Sequence, residues 1–194
     1  MANHLSGTTR LQVERWLKHY YFMRAAFSVI WVALAFAIGQ HATAIGAALL
    51  IVYPAWDALA NYVDMSRSGG IRENLPQALN VFASAVITIA VIVVLSVNTS
   101  LVLDVFGIWA VLSGLLQLAT AVRRWKRFGA QWAMIMSGGQ SALAGAFFIA
   151  QAHASVPPAI VKVAGYAGVG AIYFLVSALW LSAAQLRRKF ASTP

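Results

Sequence analysis

Long apolar runs alternate with short polar breaks along most of the chain. The hydrocarbon core of a bilayer is about 30 Å thick and is crossed by about 20 helical residues. Six runs have this length, and they cover approximately residues 20–39, 44–63, 77–97, 101–122, 131–152 and 164–186. The pattern predicts an all-α, polytopic membrane protein with six transmembrane helices.

The first 24 residues follow a different pattern. Apolar and aromatic side chains recur at helical spacing on one side, while Glu14 and Lys18 form an i,i+4 pair on the other. The segment is either an amphipathic helix at the membrane surface or the start of the first span. Its charges argue against a cleaved signal peptide. We divide the chain into an interfacial, cytoplasmic amphipathic segment (1–24), a six-helix transmembrane domain (25–189) and a cytoplasmic tail (190–194).

Composition and charge agree with this interpretation. Apolar residues make up 61% of the chain and charged residues 10%, against about 45–50% and about 25% in average soluble domains. A net charge of +9 would suggest nucleic acid as the partner of a soluble protein. Here 13 of the 14 Lys and Arg residues lie before or just inside the start of the first run, after the second, after the fourth or after the sixth, which are all ends on the same predicted side of the membrane. Lys162 is the exception. The positive-inside rule therefore predicts a multi-pass membrane protein with both termini cytoplasmic, whose basic loops contact anionic lipid headgroups and not nucleic acid.

The sequence offers little support for an enzyme. It has no cysteine, which excludes disulfides, thiolate nucleophiles and Cys-ligated zinc. It also has no zinc-protease, nucleophile-elbow or phosphate-loop motif. The four histidines lie on separate segments and do not form a metal-ligand set. We expect a non-enzymatic protein without a cofactor or metal.

The six runs show signs of internal repetition. Residues 107–124 resemble residues 170–187, and a weaker match relates the second run to the fourth. The implied unit has about 60 residues and two helices, so the six helices form three repeated helix pairs. Such parallel repeats are usually related by an axis along the membrane normal. The alternative is that any two helices rich in Ala, Gly and Leu resemble each other.

Small and uncharged polar residues inside the runs are typical of helix packing. Gly138 with Ala142, and Ser141 with Gly145, are spaced four apart, which permits close approach of helices in lipid. Gln117 also lies inside a run, and we expect an interhelical hydrogen bond to satisfy its amide.

Several of these features together resemble a known family. The six-span layout, the helix-pair repeat, the Gly-x-Trp-x-x-x-x-Gly sequence at 107–114, the Arg-rich exits and the closing sequence at 172–180 are similar to the HdeD-type acid-resistance membrane proteins. That family is built from short repeats of a domain of unknown function, and the resemblance covers nearly all of residues 20–189. It implies an inner-membrane protein connected with acid or envelope stress, with no reaction chemistry to carry over. The Pro and Asp within residues 53–61 depart from the plainer repeat.

The second run carries the main candidate site. Asp57, Asn61 and Asp64 lie at i, i+4 and i+7 and form one polar stripe, three residues after Pro54. Under the structural hypothesis, which we favour, the stripe pairs with the basic ends of neighbouring helices, including Arg124 at the position equivalent to Asp64. Under the functional hypothesis, Asp57 is a protonatable site in a proton or ion path, since ionisable groups inside membranes are costly and mark such paths.

A second candidate lies on the outer side. His41, His153 and Asp104 fall in or beside the breaks on that side. Histidine titrates near pH 6.5, so these histidines would gain charge as the exterior becomes acidic. The alternative is that they are simply solvated loop residues.

The sequence therefore predicts a non-enzymatic HdeD-like membrane protein capable of forming a homo-oligomer, and the resemblance implies a role in acid or envelope stress. One alternative is a small proton, ion or solute transporter or channel with Asp57 in its path. The other is a membrane scaffold that binds partner proteins through its basic cytoplasmic loops.

Overall fold

A computed structural model describes residues 2–126, 129–152 and 159–191, with side chains described for 12–126, 129–152 and 159–188. The α-helices within these ranges are α1 (Ala2–Leu34), α2 (Thr43–Arg67), α3 (Gly70–Glu73), α4 (Leu75–Val97), α5 (Val102–Arg124), α6 (Gln131–Gln151) and α7 (Ala159–Ala191). A π-helical turn at Ala35–Gly39 extends α1, and a 3-10 turn at Thr99–Leu101 precedes α5. No strand occurs in these ranges.

Six of the helices are long and apolar enough to cross a membrane. These candidate spans are Gln12–Gly39, Thr43–Arg67, Leu75–Val97, Thr99–Arg124, Gln131–Gln151 and Ala159–Arg188. The predicted all-α polytopic fold is confirmed. The first and last spans are longer than the apolar runs alone indicated. The helix α1 continues without a break through residue 24, so the predicted boundary between the N-terminal segment and the transmembrane domain falls within one helix.

The six spans form a closed ring. Each span contacts the next one along the chain, and α7 contacts α1. The most extensive contacts join α5 to α6, α1 to α7 and α2 to α4. We call the end of the bundle that carries residues 67–75 and 124–131 the basic end, and the end that carries residues 39–43 and 97–102 the opposite end. The closest helix pairs are thus those that meet at the basic end, across the boundaries of the sequence repeats.

Glycines bring α5 and α6 together. A Cβ atom built on Gly114 would lie 2.6 Å from the carbonyl oxygen of Gly138, and one built on Gly138 would lie 2.7 Å from the carbonyl oxygen of Gly114. Ser141 of α6 also donates a hydrogen bond to the carbonyl of Ala110, at 2.8 Å. These contacts confirm the predicted close packing by Gly138 and Ser141.

Apolar side chains fill the interior of the opposite-end half. The cluster includes Trp31, Val91, Phe106 and Phe148. Pro54 lies within α2, where it has no N–H to donate to the carbonyl four residues earlier. The indole of Trp31 donates to the carbonyl of Leu49, one residue before that unpaired carbonyl, at 2.8 Å. The kink-prone part of α2 is therefore supported from α1, just before the polar stripe begins.

Candidate functional site: a polar cavity lined by the six spans

A cavity of ≈ 90 Å³ lies inside the bundle and is lined by residues from all six spans. One buried water needs a cavity volume of only about 10–15 Å³, so this cavity has room for several waters or one small molecule. Its polar lining comprises Arg24, Asp57, Asn61, Asp64, Gln77, Asn80, Ser113, Gln117, Thr120, Arg124, Gln131, Ser137, Gln140 and Ser141.

Asp57 is the centre of the first polar layer. Its Oδ1 atom lies 2.5 Å from Nη2 of Arg24 on α1. Its Oδ2 atom accepts hydrogen bonds from Ser84 at 2.8 Å, Asn61 at 3.1 Å and Asn80 at 3.4 Å. Asp57 is only 5% exposed, and each of these four neighbours donates a hydrogen bond to its carboxylate. The layer joins α1, α2 and α4 around one buried charge pair.

Aromatic groups surround this layer. The Arg24 guanidinium carbon lies 4.5 Å from the ring centroid of Phe174 on α7, and Arg24 also donates to the hydroxyl of Tyr20 at 3.2 Å. The indole of Trp109 on α5 donates to Ser84 Oγ at 2.9 Å. A buried ion pair is tolerated when further hydrogen bonds satisfy its remaining atoms. Here side chains from α4, α5 and α7 complete the surroundings of the pair.

Asp64 is the centre of a second layer, seven residues or roughly 10 Å further along α2. Arg124 of α5 lies 3.0 Å from its Oδ2 atom, which also accepts from Gln77 of α4. The Oδ1 atom accepts from Trp16 of α1 at 3.0 Å and from Ser68 at 3.2 Å. Asp64 is 1% exposed. This second layer lies across the basic end of the cavity.

The structure places the whole predicted stripe on the cavity. Asp57, Asn61 and Asp64 all line it, and both carboxylates pair with arginines of neighbouring helices. This is the pairing that the structural hypothesis expects. The repeat alignment would bring a second base to Asp64. Within the described residues its ion pair is with Arg124, whereas Arg187 is exposed.

Sequence reasoning missed the partner of Asp57. Arg24 fits the charge pattern that marks the ends of the spans, although it lies four residues inside the first apolar run. The indole of Trp16, in the N-terminal segment, donates to Asp64. The sequence of α4 does carry a signal for further partners of the stripe, because Gln77, Asn80 and Ser84 share one helical face. All three contact the carboxylates of α2.

The outer-side candidates are not brought together. His41 is exposed in the turn before α2. Asp104 is partly buried in the first turn of α5, and its Oδ2 atom has no hydrogen-bond partner in the described part of the chain. No ion pair between His41 and Asp104 occurs there. His153 lies outside the described residues.

The amide of Gln117 has the expected interhelical bond. Its Nε2 atom donates to the carbonyl of Met134 on α6 at 3.2 Å. On α6, Ser141 meets the hydroxyl of Tyr166 at 2.6 Å, so α5, α6 and α7 also share polar contacts beside the cavity. Among the described residues, no group of three or more His, Asp or Glu side chains could hold a metal ion.

The fold and the cavity define a multi-pass α-helical membrane protein with a polar interior. No family model matches the chain, and the comparisons with curated proteins and with solved structures found no match.

Proposed function

We propose that the protein is a non-enzymatic transporter that carries a small polar solute through its central cavity. The observation that carries the proposal is that all six spans contribute to one polar cavity. Polar and ionisable groups are costly inside a membrane and commonly line solute paths. A bundle with a purely structural role needs no such cavity, because apolar side chains would fill its core.

Barriers lie on both sides of the cavity. The apolar cluster around Trp31, Phe106 and Phe148 separates it from the opposite end. The Asp64–Arg124 layer lies between it and the basic end. Transport then requires the two barriers to open in turn, as in alternating access around a central site.

A thiol placed in the cavity tests whether water and small solutes reach it. Because the chain has no cysteine, a single introduced cysteine reacts without background. We expect Ser137→Cys, which lines the cavity, to react with a small charged methanethiosulfonate reagent in native membranes. The matched control is Leu143→Cys on the same helix, where the side chain is 75% exposed on the outside of the bundle. Lipid surrounds that position, so its thiol should stay unmodified. Equal rates at the two sites would contradict the proposal.

We also propose that the protein lies in the plasma membrane with its basic end in the cytoplasm. The asymmetry of Lys and Arg supports this orientation, although Arg24 and Arg124 now act inside the bundle. Exposed basic residues of that end, such as Arg72 and Lys126, would then contact anionic headgroups.

Labelling of intact cells tests the orientation. His41 and Arg72 are both exposed and lie at opposite ends of the bundle. An impermeant maleimide should label His41→Cys in intact cells and Arg72→Cys only after permeabilisation. The reverse order would show that the basic end faces outward.

The link to acid or envelope stress is a separate proposal about when the protein is needed. It is supported by the HdeD-like sequences at residues 107–114 and 172–180. A transporter of small polar solutes fits such a role, since solute exchange is one way in which cells respond to stress at the membrane.

A further inference from the structure

We infer that the solute carried by the cavity is an uncharged molecule bearing hydroxyl or amide groups, and not an ion. This inference rests on the proposed transport function and names its substrate class. The charged side chains lining the cavity are two arginines and two aspartates. Their formal charges cancel, and each Arg is paired with an Asp at 3.0 Å or less. A neutral ligand enters such a site without leaving an unbalanced charge in the membrane interior.

Both carboxylates are already fully engaged. Asp57 accepts from Arg24, Ser84, Asn61 and Asn80. Asp64 accepts from four further donors: Trp16, Ser68, Gln77 and Arg124. A cation would have to displace an arginine from its carboxylate, which leaves a buried charge without its partner and is strongly unfavourable. An anion that bound the remaining N–H groups of either arginine would add an unbalanced negative charge to a site whose charges already cancel.

A free acceptor on the cavity wall is neutral. Asn80 lines the cavity and is 7% exposed, and its Oδ1 atom has no hydrogen-bond partner in the described part of the chain. Its Nδ2 atom is directed to Asp57, which assigns the amide orientation from the hydrogen-bond network. Nearly all buried polar atoms have a partner. A hydroxyl or amide N–H of a ligand, or a water in its place, would supply the missing donor.

The rest of the lining suits the same chemistry. Gln140 and Ser137 offer further amide and hydroxyl groups, and Tyr53, Trp109 and Tyr166 also line the cavity. The indole of Trp109 meets the rings of Tyr53 and Tyr166 nearly edge to face. Aromatic surfaces bind carbon–hydrogen groups, while amides and hydroxyls exchange hydrogen bonds with polar substituents. A small polyol or a small amide has both kinds of surface.

Osmotic flux measurements on the full chain test the inference. The purified protein is reconstituted into phosphatidylethanolamine–phosphatidylglycerol vesicles, which are mixed with hyperosmotic glycerol, erythritol, urea or acetamide. Stopped-flow light scattering then records how fast solute entry re-swells the vesicles. We expect at least one solute to enter about tenfold faster than in protein-free vesicles. Fluxes of sodium, chloride and protons, measured in parallel, should stay at the protein-free level.

Three variants test whether the flux passes through the cavity. Ser137→Trp fills the cavity and should abolish the flux, whereas Leu143→Trp on the lipid side of α6 should leave it unchanged. Asn80→Leu keeps a similar side-chain volume but removes the free acceptor, and should slow entry about tenfold. Gel filtration of each variant shows whether it folds, and Asn80→Leu remains informative if Ser137→Trp does not.

The outcomes separate the inference from the proposal on which it rests. Ion or proton flux that is lost in Asp57→Asn, without flux of an uncharged solute, overturns the inference and leaves transport standing. A labelled Ser137→Cys with no flux of any class overturns both and leaves a hydrated structural cavity. An unlabelled Ser137→Cys with no flux removes the cavity as a solute site altogether.

Discussion

Replacing Arg24 by leucine should lower the free energy of unfolding by about 3–5 kcal/mol, the usual cost of leaving one member of a buried ion pair without its partner. Arg24 lies 2.5 Å from Asp57. In the variant, the carboxylate keeps its hydrogen bonds from α4 but loses the arginine that pairs with it. Tryptophan fluorescence during unfolding in mixed micelles measures the loss.

A double-variant cycle identifies the origin of this effect. Arg24→Leu combined with Asp57→Leu removes both charges, and replacing a whole buried pair by apolar groups is often close to neutral. We therefore expect the double variant to recover much of the stability lost by Arg24→Leu. Arg187→Leu, at an exposed position, should change stability by less than about 0.5 kcal/mol. If the two single losses simply added, the pair would not be coupled as the geometry indicates.

Gly114→Leu should separate α5 from α6 and destabilise the protein by about 3 kcal/mol. A Cβ atom at Gly114 would lie 2.6 Å from the carbonyl oxygen of Gly138 and 2.7 Å from the backbone nitrogen of Ala142. Both contacts are with backbone, which cannot move aside as a flexible side chain can. Thermal unfolding in detergent measures the change.

Gly139→Leu is the matched control for this prediction. A Cβ atom at Gly139 would meet no other group of the described residues within 4 Å, and leucine favours the helix more than glycine does. We expect Gly139→Leu to be neutral or slightly stabilising. Equal destabilisation by the two substitutions would mean that close helix approach at Gly114 is not the cause.

The fold was predictable because apolar run length alone identifies a membrane span. All six spans have the predicted order, and only their ends differ. The N-terminal segment was harder to interpret, because its amphipathic pattern suits both a membrane surface and a bundle interior. Leu17 and Tyr21 are buried against the other helices, a tertiary contact that no local pattern distinguishes from contact with lipid headgroups.

The candidate site was predictable in part. A stripe of Asp57, Asn61 and Asp64 within an apolar run is visible in the sequence, since its spacing places the three residues on one helical face. Its partners were not visible, because Arg24 and Arg124 also fit the charge pattern that marks membrane orientation. The cavity itself depends on how six helices meet, and that arrangement is a property of packing.

The closed ring has a consequence for the order in which the site is assembled during synthesis. Both ion pairs of the cavity, Arg24–Asp57 and Asp64–Arg124, lie within the first 124 residues, and their charged members come from α1, α2 and α5. Each pair can therefore form once α5 has been inserted, before α6 and α7 exist. The cavity is complete only when the last helix packs against the first. Until then, one side of the charged interior faces lipid, so the nascent chain benefits from forming its ion pairs early.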